Sequence, residues 1–341
     1  MFDAVFVGGG VIGLSCAWRA AERGLDVCVL ERDVAGSGAS RVAAGILAPD
    51  SEAEPGHDPF VPLAQRSLDL YPEFAAALGA DVGFWPCGML SVALDTDEAE
   101  VLRREPGFTS WLTASECRRL EPGLSPLVAG GWLSEQEASI DPRRLVAALA
   151  DRVDVREGSE VVAVTRDSVT LANGESIVAG RVVVTAGAWS GFAGVPVRPV
   201  KGQVVRLRGE RPAERMVRSE HVYVVPRRNG EVVLGATVEE RGFDTTVTAG
   251  AVHELLREGY RMLPELAELE LVDVTAGLRP GSPDNGPLLG EWEDGVLVAT
   301  GHYRNGILLA PVTAETIAAL LVGDAPHDVA LPFAPERFAR V

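Results

Sequence analysis

Residues 2–13 read FDAVFVGGGVIG, an apolar run that passes through three glycines into a second apolar run. Phe2–Val7 predicts a buried strand, residues 11–23 predict a helix that ends at Gly24, and residues 26–31 predict the next strand. Because a helical crossover of this length returns the chain in the same direction, these elements together predict a β-α-β unit with parallel strands.

The glycine spacing inside this unit is that of a dinucleotide-binding turn. Gly8 allows the tight turn, Gly10 lets the backbone approach a pyrophosphate, and Gly13 lets the helix pack closely on the strand. The pyrophosphate would lie at the positive N-terminus of the helix. Glu31 ends the second strand, where a carboxylate accepts hydrogen bonds from an adenosine ribose, and Arg32 follows it. FAD, NAD and ADP-ribose all satisfy this pattern.

Two further segments favour a flavin among these ligands. Residues 36–47 are mostly small and end in apolar residues, which suits backbone contact with a flat isoalloxazine ring better than it suits a flexible surface loop. Residues 296–300 predict a strand that leads through Gly301-His302-Tyr303-Arg304-Asn305-Gly306 into a helix at residues 307–321. The partial positive charge at the N-terminus of that helix would stabilise a reduced flavin. An ordinary helix start explains this last pattern equally well.

Composition excludes several classes of protein. The 341 residues suffice for about two domains, and the net charge of −18 argues against nucleic acid or an anionic membrane as a partner, because both need a basic face. The four cysteines form no C-x-x-C pair and the five histidines lack ligand spacing, so we expect neither a disulfide framework nor a metal site. We find no signal peptide and no membrane-spanning run, and therefore expect a cytoplasmic location.

The remaining segments complete a predicted α/β fold. Helices are expected at residues 63–78 and, after the cap Asp141, at residues 142–150. Strands, the last three of them antiparallel, are expected at residues 153–156, 159–165, 168–171, 182–185, 203–207, 222–225 and 231–236. The fold class is a discontinuous Rossmann-like FAD-binding domain with an inserted antiparallel β-sheet substrate domain. The first comprises residues 1–85, 139–195 and 275–341, and the second comprises residues 86–138 and 196–274.

Five segments together resemble the D-amino-acid oxidase superfamily of FAD-dependent amine oxidases, and within it the glycine oxidases. They are the glycine turn with Glu31, residues 43–49 (AAGILAP), residues 223–227 (YVVPR), residues 276–281 (AGLRPG) and residues 301–308 (GHYRNGIL). The likeness runs from one end of the chain to the other. It implies FAD as the cofactor, bound noncovalently because none of the four cysteines lies in the C-terminal loop.

The resemblance also implies roles for individual residues. Arg279 would pair its guanidinium with the substrate carboxylate, a task for which a fork-shaped donor is better suited than lysine. Tyr223 would donate its hydroxyl to the same carboxylate, and Arg304 would lie near both carboxylate and flavin. With the glycine turn included, the residues expected to contact FAD are Gly8, Gly10, Val11, Ile12, Gly13, Glu31, Arg32, Ala39, Ser40, Ala44, Gly45, Ile46, Val161, His302, Tyr303, Arg304, Asn305, Gly306, Ile307 and Leu308.

A predicted hairpin gives a separate reason to place Tyr223 at the site. With Asn229-Gly230 as a two-residue turn, Tyr223 pairs with Ala236. Two residues further out, His221 pairs with Val238. By alternation these side chains share one face, which would cover the substrate side of the flavin. His221 is therefore a candidate catalytic residue, and a polar residue at a strand end is an equally good interpretation of it.

The resemblance implies oxidative deamination of glycine. A neutral amine would pass a hydride from its α-carbon to flavin N5, and O2 would be reduced to H2O2. The imine would be hydrolysed to glyoxylate and ammonia or would feed the thiazole synthesis of thiamine. Val238 stands where glycine oxidases have methionine, so sarcosine and small D-amino acids such as D-alanine are alternative substrates.

Other interpretations stay open at this point. An FAD-dependent D-amino-acid dehydrogenase or a sarcosine oxidase-like enzyme would carry the same motifs, whereas a flavin-binding sensor module would need no carboxylate-binding arginine. Lys201, the only lysine, is either a cation over the flavin that assists electron transfer to oxygen or, more simply, a structural turn residue. The oligomeric state, a homo-oligomer included, is left open.

Overall fold

The computed structural model describes residues 1–50, 59–105 and 109–338 and contains two large β-sheets flanked by helices. The strands are β1 (Phe2–Val7), β2 (Val27–Leu30), β3 (Ile46–Leu47), β4 (Met89–Ala93), β5 (Leu112–Thr113), β6 (Gly130–Ser134), β7 (Ala138–Ser139), β8 (Asp154–Arg156), β9 (Val161–Val164), β10 (Ser168–Leu171), β11 (Ser176–Val184), β12 (Arg198–Arg208), β13 (Met216–Arg218), β14 (Tyr223–Pro226), β15 (Glu231–Gly235), β16 (Glu270–Gly281), β17 (Leu288–Glu291) and β18 (Leu297–Thr300). The α-helices are α1 (Val11–Glu22), α2 (Ala39–Val42), α3 (Phe60–Ala77), α4 (Thr96–Leu102), α5 (Ala114–Leu120), α6 (Pro142–Ala150), α7 (Ala249–Met262) and α8 (Ala310–Val322). Within the described ranges, none of these helices combines the length and apolarity that crossing a bilayer requires.

The first sheet has the strand order β17-β18-β11-β1-β2-β8. β1 is parallel to both β2 and β11, which confirms the predicted β-α-β unit. Ala4 and Phe6 pack into the core under α1 and α8, while Val5 and Val7 pack into a second cluster on the other face. Because residues 4–7 of β1 are covered on both faces, they are apolar without alternation. The glycine turn after β1 therefore lies between two parallel neighbours, at the carboxyl edge of the sheet.

The second sheet has the strand order β16-β12-β15-β14-β13-β4-β6-β5. The pairing of β12, β14 and β15 is antiparallel, as predicted, whereas β13 and β4 are parallel. α7 covers one face of this sheet over Leu234, and the other face packs on Val42 and Ala44. The predicted division into domains stays a prediction, and β16 runs across its boundary at residues 274/275.

Three predicted bounds are wrong because tertiary contacts decide them. β12 begins at Arg198, since it pairs along its whole length with β16, and β11 begins at Ser176 because its first half pairs with β10. The last long helix begins at Ala310, three residues after the predicted start. The carbonyl oxygen of Leu308 accepts a hydrogen bond from Ser67 of α3 at 2.6 Å, and the preceding carbonyl accepts one from Tyr71. These contacts hold residues 307–309 in a turn.

The predicted cap of α6 is confirmed. The carboxylate of Asp141 accepts hydrogen bonds from the amides of Arg143 at 3.0 Å and Arg144 at 3.3 Å, and Pro142 occupies the first helical position. This arrangement satisfies two backbone donors that the helix itself leaves without acceptors.

Candidate active site

The turn between β1 and α1 has glycines where side chains do not fit. Gly8 has φ +113°, and a Cβ there would lie 2.6 Å from the carbonyl oxygen of Thr185. A Cβ at Gly13 would lie 2.0 Å from the carbonyl oxygen of Gly8, so α1 approaches β1 closely only because this residue has none. The Ser40 hydroxyl accepts a hydrogen bond from the Val11 amide at 3.0 Å. Gly8 and Gly13 thus have the steric roles that their spacing predicts.

Glu31 follows β2 and directs its carboxylate at this turn. Oε2 accepts a hydrogen bond from the Gly9 amide at 2.7 Å, and Oε1 accepts one from the Asp33 amide at 2.9 Å. These bonds hold the carboxylate at the carboxyl edge of the first sheet, where open parallel sheets bind their ligands. The neighbouring Arg32 places its guanidinium carbon 4.8 Å from the ring centroid of Trp189, a cation–π arrangement.

A cavity of about 560 Å³ begins at this turn and runs to the second sheet. Cofactor and ligand pockets have volumes of roughly 300–1,000 Å³. The predicted site residues that line it are Gly8, Gly10, Val11, Ile12, Glu31, Arg32, Ala39, Ser40, Ala44, Gly45, Ile46, Val161, Tyr223, Arg279, His302, Tyr303, Arg304, Asn305, Gly306 and Ile307. Gly13 and Leu308 do not line it, because Gly13 packs α1 on β1 and the Leu308 side chain is buried in the core.

Residues 39–46, which we call the strap, line the cavity and are held from the second sheet by two buried arginines. Arg206 donates through Nη2 to the carbonyl oxygens of residues 41–43, at distances between 3.2 and 3.4 Å. Arg227 donates through Nη2 to the carbonyl oxygen of Ala44 at 2.8 Å. The position of the strap along the cavity therefore depends on side chains more than 160 residues away in the chain.

One carboxylate serves both of these arginines. Oε1 of Glu231 accepts from Nη1 of Arg206 at 2.7 Å and from Nε of Arg227 at 3.2 Å. Burial lowers the pKa of both guanidiniums, and the Glu231 charge opposes that effect. The two buried cations share this partly buried anion, and backbone carbonyls of the strap and of Ile140 supply further acceptors.

Arg279 and Tyr223 line the end of the cavity that the second sheet forms. Arg279 lies on β16, and its Nη1 donates to the carbonyl oxygens of Lys201 at 3.2 Å and Thr237 at 3.0 Å. Tyr223 is the first residue of β14 and is half-buried. Both side chains thus line the cavity from strands of one sheet, with β12 and β15 between them.

The predicted register of the β14–β15 hairpin is wrong by one residue. Tyr223 lies opposite Gly235 and not opposite Ala236, because the connection is the three-residue loop 228–230 instead of a two-residue turn. Its last residue, Gly230, has φ +83°, which is the left-handed conformation that such loops place before the returning strand. The sequence Asn-Gly is compatible with both loop lengths, so the pattern alone does not decide the register.

The loop of residues 301–309 covers the cavity from the first sheet. Gly306 and Ile307 line it, and their backbone amides have no hydrogen-bond acceptor among the described residues. His302 is buried, with Nε2 3.0 Å from the Thr313 hydroxyl, and burial lowers its pKa to about 3. His302 is therefore neutral at physiological pH. The guanidinium carbon of Arg304 lies 5.6 Å from the ring centroid of Tyr303.

Lys201 belongs to β12 and is not a turn residue. Its ammonium group lies 2.9 Å from the carboxylate of Asp244 and 3.6 Å from that of Glu239, and its side chain is 1% exposed. The next residue, Gly202, lines the cavity, so alternation along β12 directs Lys201 to the opposite face of the sheet. The structure therefore gives Lys201 a role in holding the loop that follows β15 and does not place its charge at the cavity.

His221 and Val238 lie outside the cavity lining, contrary to the prediction. His221 is exposed and has a ring nitrogen within 4.8 Å of carboxylate oxygens of Glu98 and Glu220. Val238 is 57% exposed, because β15 ends at Gly235 and the alternation on which the prediction rested ends with it. Neither a catalytic role for His221 nor a roomier pocket caused by Val238 follows from the structure.

Part of the cavity lining was not predicted from the sequence. Residues 185–189 line the cavity because they follow β11, which is parallel to β1 and ends at the same edge. The β-branched run before Ala186-Gly187-Ala188-Trp189 is the signal that could have found them, since it indicates another buried strand that ends in small residues. Gly202 and Thr245 also line the cavity, and no local pattern singles them out.

Comparisons with known proteins show the family to which the chain belongs. The profile of the family described as FAD dependent oxidoreductase (DAO) matches residues 3–320. The bifunctional protein ThiO/ThiG of Trichormus variabilis is 35% identical over 364 residues, which cover 99% of this chain and 55% of that protein. The glycine oxidase of Geobacillus kaustophilus is 34% identical over 350 residues, which cover 94% of this chain and 93% of that protein.

A solved structure extends the comparison to three dimensions. The crystal structure of glycine oxidase from Geobacillus kaustophilus matches with a TM-score of 0.93 at 33% identity, and the match covers 99% of each chain. The chain spans about half the length of its bifunctional relatives and nearly the full length of this glycine oxidase.

Proposed function

The chain belongs to the family of FAD-dependent oxidoreductases, and on that basis we propose that it oxidises glycine with O2 as the electron acceptor. The observation that carries the proposal is that one cavity is lined by a dinucleotide-binding turn with Glu31 at one end and by Arg279 with Tyr223 at the other. When bound, FAD supplies the hydride acceptor and the reaction with O2, so that glycine and O2 give the imine and H2O2.

The residues present fit FAD. Glu31 would hold the adenosine ribose, the turn at residues 8–13 would hold the pyrophosphate at the N-terminus of α1, and the strap with residues 302–307 would enclose the ring system. The amides of Gly306 and Ile307 would supply donors for ring carbonyls. No cysteine is among the described residues that line the cavity, and we propose that FAD is held noncovalently.

Arg279 and Tyr223 would bind and orient the substrate. The guanidinium is held against β12 by the carbonyl oxygens of Lys201 and Thr237, so its plane is set before a substrate arrives. A planar fork binds a carboxylate through two parallel hydrogen bonds, and the Tyr223 hydroxyl adds a third donor. Orientation of this kind holds the α-carbon of glycine toward the ring system.

Among the residues that the structure describes, no carboxylate lines the substrate end of the cavity to take up the proton of the amine. The acidic residues among the described cavity lining are Glu31, Asp33 and Glu160, all at the first-sheet end. The buried His302 is neutral, because its pKa is lowered to about 3. We therefore propose that the neutral amine is the reacting form, and kcat/KM should rise with pH as the fraction of neutral amine rises.

We further propose small molecules as the only partners that the reaction needs. The imine would be hydrolysed to glyoxylate and ammonia or passed to thiazole formation for thiamine, as the likeness to ThiO/ThiG proteins suggests. The net charge of −18 disfavours nucleic acid and anionic membrane surfaces. We also propose the cytoplasmic location that the sequence predicts.

The test is an anaerobic titration of the purified holoprotein. Glycine should bleach the flavin absorbance, sarcosine and D-alanine serve as competing substrates, and admission of O2 should restore the colour with one H2O2 per turnover. A flavin that glycine leaves oxidised would contradict the proposal. Bleaching without peroxide formation would point to a dehydrogenase instead.

Variants of Arg279 identify the carboxylate site. Arg279→Ala should raise the KM for glycine by roughly two orders of magnitude or more, because a charge-assisted bidentate pair contributes about 3 kcal/mol or more. Arg104→Ala, which removes an exposed arginine from the turn after α4, is the matched control and should leave KM unchanged. Equal kinetics in both variants would refute the assigned role, and FAD that stays bound without any turnover in the wild type would favour a sensor.

A further inference from the structure

Gly202 lies directly beneath the guanidinium of Arg279. A Cβ built on Gly202 would stand 2.4 Å from both terminal nitrogens of Arg279 and 2.5 Å from its Cζ. Real Cβ atoms essentially never come within 3.0 Å of another heavy atom, so only glycine leaves this space. The backbone itself does not require glycine, because the φ of Gly202 lies outside the left-handed region.

Gly235 has the same relation to Tyr223. A Cβ built on Gly235 would stand 2.6 Å from the Tyr223 hydroxyl oxygen, 2.7 Å from Cζ and 2.9 Å from Cε2. The two residues are direct partners in the β14–β15 ladder, so the ring lies over the neighbouring strand. The φ of Gly235 is also outside the left-handed region.

The two glycines lie on one face of the sheet. Gly235 is the partner of Val204 on β12, and Gly202 precedes Val204 by two residues, so all three belong to the face of the sheet on which Gly202 and Val204 line the cavity. Diagonal neighbours of this kind are roughly 7–8 Å apart. The Arg279 guanidinium and the Tyr223 hydroxyl thus lie next to each other, each directly over the backbone of a glycine.

We propose that Gly202 and Gly235 position the substrate carboxylate by setting the height of these two groups above the sheet. The inference rests on the proposed function of Arg279 and Tyr223. A methyl group at Gly202 would have to move the guanidinium by about 1 Å to reach an ordinary contact distance of 3.4 Å. A misplacement of about 1 Å in a binding group can lower the rate roughly 100-fold.

The experiment compares holoprotein variants by the binding of acetate, a carboxylate without an amine, followed through the flavin absorption spectrum. Gly202→Ala should raise the acetate Kd and the glycine KM together and lower kcat/KM roughly 100-fold, with unchanged FAD content. Gly235→Ala should act in the same direction by roughly tenfold, because it displaces a single hydroxyl donor.

Two glycine variants separate positioning from general destabilisation. Gly250→Ala adds a methyl group where no atom lies within 4 Å, and it should change nothing. Gly259→Ala adds one 3.1 Å from the Leu234 side chain, away from the cavity, and it should lower thermal stability without changing the acetate Kd. A merely structural effect of Gly202→Ala would resemble Gly259→Ala.

A double-mutant cycle isolates the contact itself. Lysine at position 279 lacks the nitrogens that the new methyl group would meet, so Gly202→Ala should change the acetate Kd less than about threefold in an Arg279→Lys background. Should Gly202→Ala alone fail to give holoprotein, recovery of folded holoprotein in the double variant supports the proposal, and failure of both variants overturns it.

The remaining outcomes distinguish this inference from the function on which it rests. A wild type that binds acetate as tightly as Gly202→Ala does would overturn the inference and leave the proposed function standing. A wild-type holoprotein that neither binds acetate nor is reduced by glycine would overturn the proposed function, and the inference with it.

Discussion

The two ends of the cavity are built in different ways. At the first-sheet end, the turn at residues 8–13 and Glu31 are close in sequence, and they interact through backbone amides. At the second-sheet end, Arg279 and Tyr223 lie on separate strands, and their supports come from β12, β15 and the loop after β15. The first end is a local motif, and the second is a product of strand pairing.

The charged groups that support the two ends also differ in their burial and in their partners. Glu31 is partly exposed and bonded to amides of its own neighbourhood, whereas Arg206 is fully buried and shares Glu231 with Arg227. The second end is thus sensitive to any change that leaves a buried charge without its counterpart. The following variants test whether the two ends can be disturbed separately.

The largest effect should come from Gly13→Val at the first-sheet end. A Cβ at this position would lie 2.0 Å from the Gly8 carbonyl oxygen, so the turn cannot keep its shape. We expect colourless protein, or none that folds, as measured by flavin absorbance and thermal unfolding. Yellow protein with wild-type stability would show that the motif does not need close packing of α1.

The next largest effect should come from Glu231→Gln, which removes the negative charge shared by the two arginines that hold the strap. Removal of one partner from a buried ion pair destabilises a protein by about 3–5 kcal/mol, and here two guanidiniums lose their carboxylate. Glu291→Gln, which removes half of a surface pair with Arg181, should change the stability by less than about 1 kcal/mol. Urea unfolding measures the free energy of unfolding of both variants. Equal losses in the two variants would show that the Glu231 carboxylate stabilises the protein no more than a surface carboxylate does.

Glu31→Gln should affect only the affinity for FAD. The loss of a charged acceptor for ribose hydroxyls costs roughly 1.5–3 kcal/mol, which corresponds to a Kd about tenfold to hundredfold higher. With FAD in excess, the KM for glycine should equal that of the wild type, since Arg279 is untouched. A changed KM under these conditions would mean that the two ends are coupled.

The smallest effect concerns His302, whose burial lowers its pKa from 6.5 to about 3. Between these two pKa values the unfolded chain binds a proton that the folded chain does not. The contribution of the neutral, buried His302 to the free energy of unfolding is therefore complete above the unfolded pKa and is lost as pH falls. Between pH 7.5 and pH 5 the loss is about 2 kcal/mol. His302→Asn should flatten this part of the pH–stability curve, and the exposed His327→Asn should not.

The sequence predicted most of the fold, because most helices and strands have a local sequence pattern that indicates them. The apolar run of β1, the glycines after it and the cap at Asp141 all lie where the patterns place them. The register of the β14–β15 hairpin was predicted wrongly, since the loop length that sets it depends on how the strands meet. The expectation that His221 and Val238 face the cavity failed for another reason, because β14 begins at Tyr223, β15 ends at Gly235, and the alternation does not continue beyond them.

The sequence by itself determined the glycine turn and Glu31 at the cofactor end, because Gly9 and Glu31, which a hydrogen bond joins across 22 residues, belong to one β-α-β unit. Only the tertiary structure decided the substrate end, where Gly202 and Gly235 leave room for Arg279 and Tyr223. The physical reason is that steric room beneath a side chain is a property of paired strands. It depends on which residues become partners, and no pattern along one strand records that choice.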